Sequence, residues 1–456
     1  MKSTKSHFLY FLLPLAIGLT FPFQVIFNNR KAGALSILIM FSIVVLSVIT
    51  KSRKNPPNTI FKHSRNWDLI VMAFLGLSLI NLVGTMIMFD FESVNPMSAL
   101  FLILQAGQIY VIFSRIASDS EIHAFLIGAV VMAVLSGGFF IFESFNKLIL
   151  GQITAYTLRA HEYTLSAQGQ SLADQAANHF RVNITYRSFG LLERHTTSAL
   201  WTAFGFFAYA FIEYKKSRVA KALALTCSVL FITQNFTVFI VFCFVIILTY
   251  RYALEFKATL VPLICFMISA IMIGREEILQ FLFDAFAILQ EHLFSGLSWQ
   301  MEDESMKYSS LVASEFTRYW SEILERPQQL LLGYGVGTNP FYSTSGDVGF
   351  FETMMRLGLP LWLLLTWNIF GLTLKGISAQ NSLRRTLDTD SSRDAKVTLV
   401  ASALLSSIWL ADLHYSAWTN KSIWPILFFG MALAHRQAIT RTRNIQEPEL
   451  FRKGGV

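Results

Sequence analysis

AKALALTCSVLFITQNFTVFIVFCFVIILTYR, residues 220–251, decides how many times this chain crosses a bilayer. A single membrane-spanning helix needs about 20 apolar residues. The stretch is too long for one comfortable span and short for two. Thr233, Gln234 and Asn235 interrupt it at the centre. It therefore reads as a tight helical hairpin, with spans over 220–235 and 237–251. Whether these residues count once or twice sets the side of every loop that follows.

The rest of the chain has the same character. Of its 456 residues, 54% are hydrophobic and 14% charged, against about 25% charged in soluble proteins. Mean hydropathy is +0.49. Long apolar runs recur at 8–28, 33–50, 67–89, 97–114, 122–142, 197–214, 257–274, 348–373, 396–416 and 421–437. With the hairpin these make about twelve transmembrane helices. The expected fold is an all-α polytopic membrane protein, with 1–456 forming a single integral membrane domain, because lipid admits only segments whose backbone bonds are satisfied internally. The first run follows Lys2 and Lys5 and is not followed by a small-residue cleavage site. It reads as a retained span and not as a removed signal peptide.

Charge placement tests the hairpin. With the N-terminus cytoplasmic and twelve spans, the inner loops hold Lys51, Arg53, Lys54, Lys62 and Arg65, then Lys215, Lys216, Arg218 and Lys221, then Arg384, Arg385, Arg393 and Lys396. The cytoplasmic tail adds Arg436, Arg441 and Arg443. Arg30, Lys31 and Arg275 fall on the outer side. Counting 220–251 once would put the basic 375–396 loop outside, against the positive-inside rule. The net charge of +8 thus reports topology. It does not report nucleic-acid binding, for which no basic face on a soluble domain exists. Cys227, Cys243 and Cys265 all lie inside apolar runs, so neither a disulfide framework nor a zinc site follows.

Two long loops fall outside: 143–196, and a larger one over 275–347 between the ninth and tenth spans. In the second, Ile278, Leu282, Phe286, Leu289 and Leu293 recur at helical spacing, with Glu277, Asp284 and Glu291 on roughly the opposite side. That pattern predicts an amphipathic helix on the membrane surface. Another helix, about 308–326, is expected to stop at Pro327. There is no internal repeat and no low-complexity segment.

Candidate chemistry sits at the ends of these loops. In NITYRSFGLLERHTTS, 183–198, a helical reading puts Arg187 and Arg194 on one face, with Gly190 between them. Two guanidinium forks at a membrane edge suit a pyrophosphate. They equally suit snorkelling to headgroups, or an ion pair with Glu193. His195 follows at once, as an interfacial structural histidine or as an acid/base group. In RYWSEILERPQQLLLGYGVGTNPFYSTSGDVGFFETMMRLGLP, 318–360, Gly333, Gly335 and Gly337 form a turn-prone stretch that lacks the Lys-Ser/Thr of a P-loop. Arg318 has Glu315 and Glu322 within a turn. Asp347, Glu352 and Arg356 lie at the mouth of a span, where ionisable residues are expensive and default to function. Glu352 and Arg356 are i,i+4 and can simply neutralise one another. Asp412 and His414 form a lesser pair near an outer span end. The cluster Glu302, Asp303 and Glu304 reads as a solvated turn, and Asp388 and Asp390 as part of a cytoplasmic loop. No metal site is expected.

In its span count, in its large outer loop, in R-S-F-G-L-L-E-R-H (187–195) and in R-Y-W…P…G-Y-G-V-G followed by D-V-G-F-F-E-x-x-x-R-L-G-L-P, the chain resembles the O-antigen polymerase and O-antigen ligase superfamily (Wzy/WaaL-like). The resemblance covers most of the chain as architecture, and only 187–195 and 318–360 as motif. Ligases of that superfamily usually carry a His-Asn pair eleven residues before the span glycine. Counting back from Gly358 reaches Asp347, which places the chain closer to the polymerases. The resemblance implies a metal-independent membrane glycosyltransferase without cofactors in a bacterial inner membrane, with both termini cytoplasmic. Its substrates would be undecaprenyl-pyrophosphate-linked glycans among the membrane lipids. A chain-length regulator and a flippase would be its partners. It further implies pyrophosphate binding by Arg187, Arg194, Arg318, Gly335 and Gly337, and acid/base work by Asp347, His195 or Glu352. A ligase and a polysaccharide transporter or flippase are the alternatives.

Cysteines placed at Ser166 and Ser305 should react with a membrane-impermeant thiol reagent in cells whose outer membrane is permeable. Protection of either until the inner membrane is broken overturns the twelve-span arrangement.

Overall fold

A computed structural model describes residues 2–27, 35, 37–43, 45, 66–88, 96–150, 154–167, 190–192, 195–213, 216–233, 235–250, 327–333, 349–383, 389–412 and 422–436. All regular structure among the described residues is helical. The expected span 257–274 and the expected helices 276–293 and 308–326 lie outside the described residues.

The helices are α1 Lys2–Gly18, α2 Thr20–Phe27, α3 Asn66–Met88, α4 Pro96–Val111, α5 Asp119–Leu150, α6 Ala155–Ala167, α7 His195–Ile212, α8 Lys216–Ile232, α9 Phe236–Tyr250, α10 Pro327–Leu332, α11 Gly349–Leu357, α12 Leu359–Leu383 and α13 Thr389–Asp412, followed by α14 over 424–436. Several boundaries differ from the sequence reading. The first apolar run bends by 58° between α1 and α2, so it is not one straight rod. The run 348–373 breaks at Gly358 into α11 and α12. The fifth helix continues through residue 143 to Leu150, where a loop was expected to begin. Pro327 opens α10, the first-turn position where its missing N–H costs nothing.

The 220–251 stretch does break in the middle. Thr233 Oγ1 returns to the Val229 carbonyl at 2.7 Å. Asn235 caps α9, its Oδ1 accepting the Val238 N–H at 3.3 Å. Phe231 and Phe239 then meet edge to face across the pair with ring centroids 6.0 Å apart. Polar residues that close a turn with their own side chains are the reason the chain reverses there.

Which faces are buried follows from the solvent. The α7 helix is buried on all sides from Thr196 to Ala208, and α14 is nearly as enclosed. A helix buried all round lies at the centre of a bundle. The two meet through Phe204 and Phe429, which join Phe113 and Phe125 in one aromatic cluster. The outward faces are apolar too. On α12, Leu363, Trp367, Phe370 and Leu374 form an exposed stripe, Trp367 at 75%. On α5, Ile127, Val131 and Val134 do the same. Apolar side chains outside and inside, with polar ones enclosed, is the arrangement of a protein dissolved in lipid. Two described helices, Ala99–Ile116 and Asp119–Asn146, are long and apolar enough to cross a membrane, and the bent pair α1–α2 makes a third if it is counted as one span.

The parallel run of α4 and α14 defines two ends. Trp424 Nε1 donates to the Leu102 carbonyl at 2.9 Å. Twelve residues further along α14, Arg436 binds the carbonyls of Phe113 and Ala117, and Asp119 at 3.1 Å. A π turn at Ile112–Ile116 frees those carbonyls at the foot of α4. The Arg436 end also holds the His7–Ser120 hydrogen bond at 3.1 Å and the Arg218–Glu213 pair at 3.0 Å. Glu143, His195, Arg356 and Asp412 lie at the opposite end, because α5, α7 and α13 each run between the two.

Close helix approach depends on small residues. A Cβ on Gly128 would lie 2.1 Å from the Phe11 carbonyl oxygen and 2.8 Å from Pro14 Cγ, whereas one on Gly138 meets nothing within 4 Å. Gly128→Val should therefore destabilise by about 1–3 kcal/mol through overpacking. Gly138→Ala should be neutral or gain up to about 1 kcal/mol from helix propensity. Thermal unfolding of the two variants in one detergent checks both.

Candidate functional site

The end opposite Arg436 carries two buried polar nodes. The first is built on the segment Gly190–Leu192, and each of its residues is tied by a different helix. Gly190 donates its N–H to Glu143 Oε2 of α5 at 2.5 Å. The Leu191 carbonyl accepts the Tyr156 hydroxyl of α6 at 2.6 Å. Leu192 donates its N–H to Ser198 Oγ of α7 at 3.2 Å. Glu143 and Ser198 are both fully enclosed, at 0% exposure. Gly190 has φ +79°, and a Cβ there would lie 2.4 Å from Ser198 Oγ. Glycine is thus required twice, for the left-handed backbone and for the contact. Burial, with the nearby Glu143 carboxylate adding to it, pushes the Tyr156 phenol well above its usual range. It remains a protonated donor at every physiological pH. His195 is the first residue of α7 and is half-buried, three residues before Ser198.

The second node surrounds the break at Gly358. Arg356 donates Nη2 to Glu352 Oε1 one turn earlier on α11. Both residues are enclosed, Glu352 at 3% exposure and Arg356 at 9%. The neighbouring Thr353 hydroxyl donates to Asp412 Oδ1, the last residue of α13, at 3.0 Å. Asn81 of α3 donates Nδ2 to the Leu357 carbonyl at 3.3 Å. Gly333 closes the node from α10. With φ +70°, it approaches so closely that a Cβ would sit 2.4 Å from the Gly358 nitrogen and 2.5 Å from the Arg356 carbonyl oxygen. Gly358 itself has φ +79°. The short α11 is therefore pinned to α3, α10 and α13 at once.

Of the expected site residues, His195 and Glu352 are described, one in each node. Asp347, Arg187, Arg194, Arg318, Gly335 and Gly337 lie outside the described residues. The i,i+4 neutralisation considered for Glu352 and Arg356 is what forms. It makes Glu352 half of an ion pair instead of an open base. Gly333, first of the three glycines, serves close backbone approach. Asp412 gains weight, since its carboxylate is 2% exposed and bonded to α11. Glu143 was missed. The signal was present as one carboxylate within F-F-I-F-E-S-F, 139–145, but ending the span at 142 moved it into a loop. Comparison of the chain with protein-family models, with curated proteins and with solved structures finds no match.

Breaking a buried ion pair from one side leaves an uncompensated charge, at a cost of about 3–5 kcal/mol. Glu352→Gln alone and Arg356→Met alone should each lower the unfolding temperature and the amount of protein in the membrane. The double variant should recover most of both. A double variant no better than the worse single one would mean the pair contributes nothing as a pair.

Proposed function

We propose that the chain is a polymerase of a surface polysaccharide, an O-antigen or similar glycan. It would transfer a growing chain from undecaprenyl pyrophosphate to a lipid-linked repeat unit at the outer face of a bacterial inner membrane. The observation that carries this reading is the concentration of enclosed carboxylates, an enclosed arginine and three left-handed glycines at one end of an apolar bundle. Ionisable groups kept inside such a bundle are costly and mark sites. In the described residues, the other end has its ion pairs at the surface, Arg218–Glu213 and Arg436–Asp119. By the positive-inside rule the Arg436 end is cytoplasmic, which puts the two nodes outside in the proposed twelve-span arrangement. The resemblance in 187–195 and 318–360 supplies the reaction class.

In the proposed reaction an acceptor hydroxyl attacks the anomeric carbon, the bond from that carbon to the pyrophosphate oxygen breaks, and undecaprenyl pyrophosphate leaves. Arg187, Arg194 and Arg318 are assigned to the developing negative charge, as planar forks suited to phosphate oxygens. Asp347 is assigned the acceptor proton, with His195 as the alternative base. A second reading has one observation in its favour. Broken helices with enclosed charges also belong to transporters, and α11–α12 is such a break.

A deletion strain separates these readings by its surface glycans. One repeat unit retained with long chains lost indicates a polymerase. Loss of all glycan from the surface lipid indicates a ligase, and lipid-linked units trapped on the cytoplasmic face indicate a flippase. Within the polymerase reading, Asp347→Asn should lower chain extension by about 100- to 10,000-fold with the protein still in the membrane. Arg187→Lys and Arg194→Lys should each be strongly impaired, because lysine keeps the charge and loses the fork. Normal polymer from both lysine variants removes the arginine pair from the site.

A further inference from the structure

Resting on the glycan-transfer reading, we infer that Glu143 is a positioning residue for that reaction: from inside α5 it accepts the Gly190 N–H and so sets how the N-terminus of α7 presents His195 at the outer end of the bundle. The carboxylate has no exposure, so it is out of reach of a substrate. Its work must pass through what it holds. Among what it holds is the Gly190 N–H at 2.5 Å, in a turn packed so closely that a Cβ on Gly190, at φ +79°, would lie 2.4 Å from Ser198 Oγ. Ser198 in turn takes the Leu192 N–H at 3.2 Å, tying the segment to the first turn of α7, which His195 opens. Tyr156 fixes the intervening Leu191 carbonyl. Three helices thus converge on three consecutive backbone residues, and neither neighbouring end of the segment moves without breaking one of these bonds.

The length of the Glu143 side chain lets α5 reach across to the entry of α7. The role is that of an acceptor at a fixed distance. Misplacement of a reacting group by about 1 Å costs about 100-fold in rate, so the entry of α7 is a place where rigidity affects turnover.

The test uses the full chain in lipid nanodiscs with Glu143→Gln, which keeps an acceptor oxygen at the same reach, and Glu143→Leu, which keeps the bulk and removes the acceptor. Two quantities are read. One is the rate at which diethyl pyrocarbonate modifies His195, resolved by peptide mass spectrometry and normalised to exposed His123 at the other end. The other is kcat and KM for the lipid-linked repeat unit. Glu143→Gln should match the wild type in both within about twofold. Glu143→Leu should change the His195 rate at least threefold and lower kcat by about 10- to 100-fold with KM little changed. Unchanged His195 reactivity and kcat in Glu143→Leu overturn the proposal. So does a Glu143→Gln variant as impaired as Glu143→Leu, since charge or a proton would then matter instead of the acceptor. Should Glu143→Leu be lost from the membrane, Glu143→Asp, one methylene too short, decides by the same two readouts. A shifted His195 rate in a protein whose wild type transfers no glycan upholds the positioning by Glu143 and removes the glycan-transfer reading instead.

Discussion

Nothing in lipid will hydrogen-bond a stray donor or acceptor, and that constraint governs where each polar group of this bundle goes. The commonest solution is local. Ser78, Ser114, Ser144, Thr202, Thr373 and Ser406 each return a hydroxyl to the carbonyl one turn earlier. Such a bond satisfies the side chain without asking anything of another helix. The solution for longer side chains is long-range and costs order. Trp424 reaches Leu102, Tyr110 reaches His435 at 2.8 Å, and Asn81 reaches the Leu357 carbonyl. These bonds fix the rotation of one helix against another more sharply than apolar packing does, because a half-turn slip would leave both partners buried and unsatisfied.

The same constraint explains how much was legible in the sequence. Hydropathy marks where a helix is dissolved in lipid, so helical content and the reversal at Thr233–Asn235 were readable. It averages over a break. L-G-L-P at 357–360 retains its apolar character through Gly358, so α11 and α12 read as one span. The bend near Leu19 is hidden for the same reason. Boundaries set by hydropathy also cut a helix at its first charge. That is how Glu143, with α5 continuing to Leu150, was assigned to a loop. Asp412 sits at a helix end and was visible as a candidate, but its partner Thr353 is 59 residues away. A pairing at that separation has no periodic signature. The ion pair of Glu352 with Arg356 was legible because i,i+4 spacing is local.

The two ends of the bundle meet the constraint in opposite ways. At the Arg436 end, charges sit where water reaches them. Arg218 and Asp119 are both more than half exposed, and such pairs add little to stability. At the Glu143 end the charges are drawn inward: Glu143 and Asp412 are each bonded to another element, and Glu352 and Arg356 to each other. Enclosed charge is a weak source of stability, so stability alone does not account for placing Glu143, Glu352, Arg356 and Asp412 there. Apolar residues of similar size would hold the same helices together at lower cost.

The glycines sharpen that contrast. All three left-handed glycines of the described residues, Gly190, Gly333 and Gly358, belong to the two nodes. Each lies where irregular backbone enters or leaves a helix, and two of them touch, so that α10 closes on the α11–α12 break. Irregular backbone at membrane depth survives only where protein encloses it or where it lines a polar cavity. Here enclosure is achieved by contacts too short to admit even a methyl group. Such contacts leave these turns no neighbouring conformation to relax into. Among the described residues, the irregular backbone at this end is thus tightly constrained. In the proposed glycan-transfer reading, that combination suits holding groups at set positions.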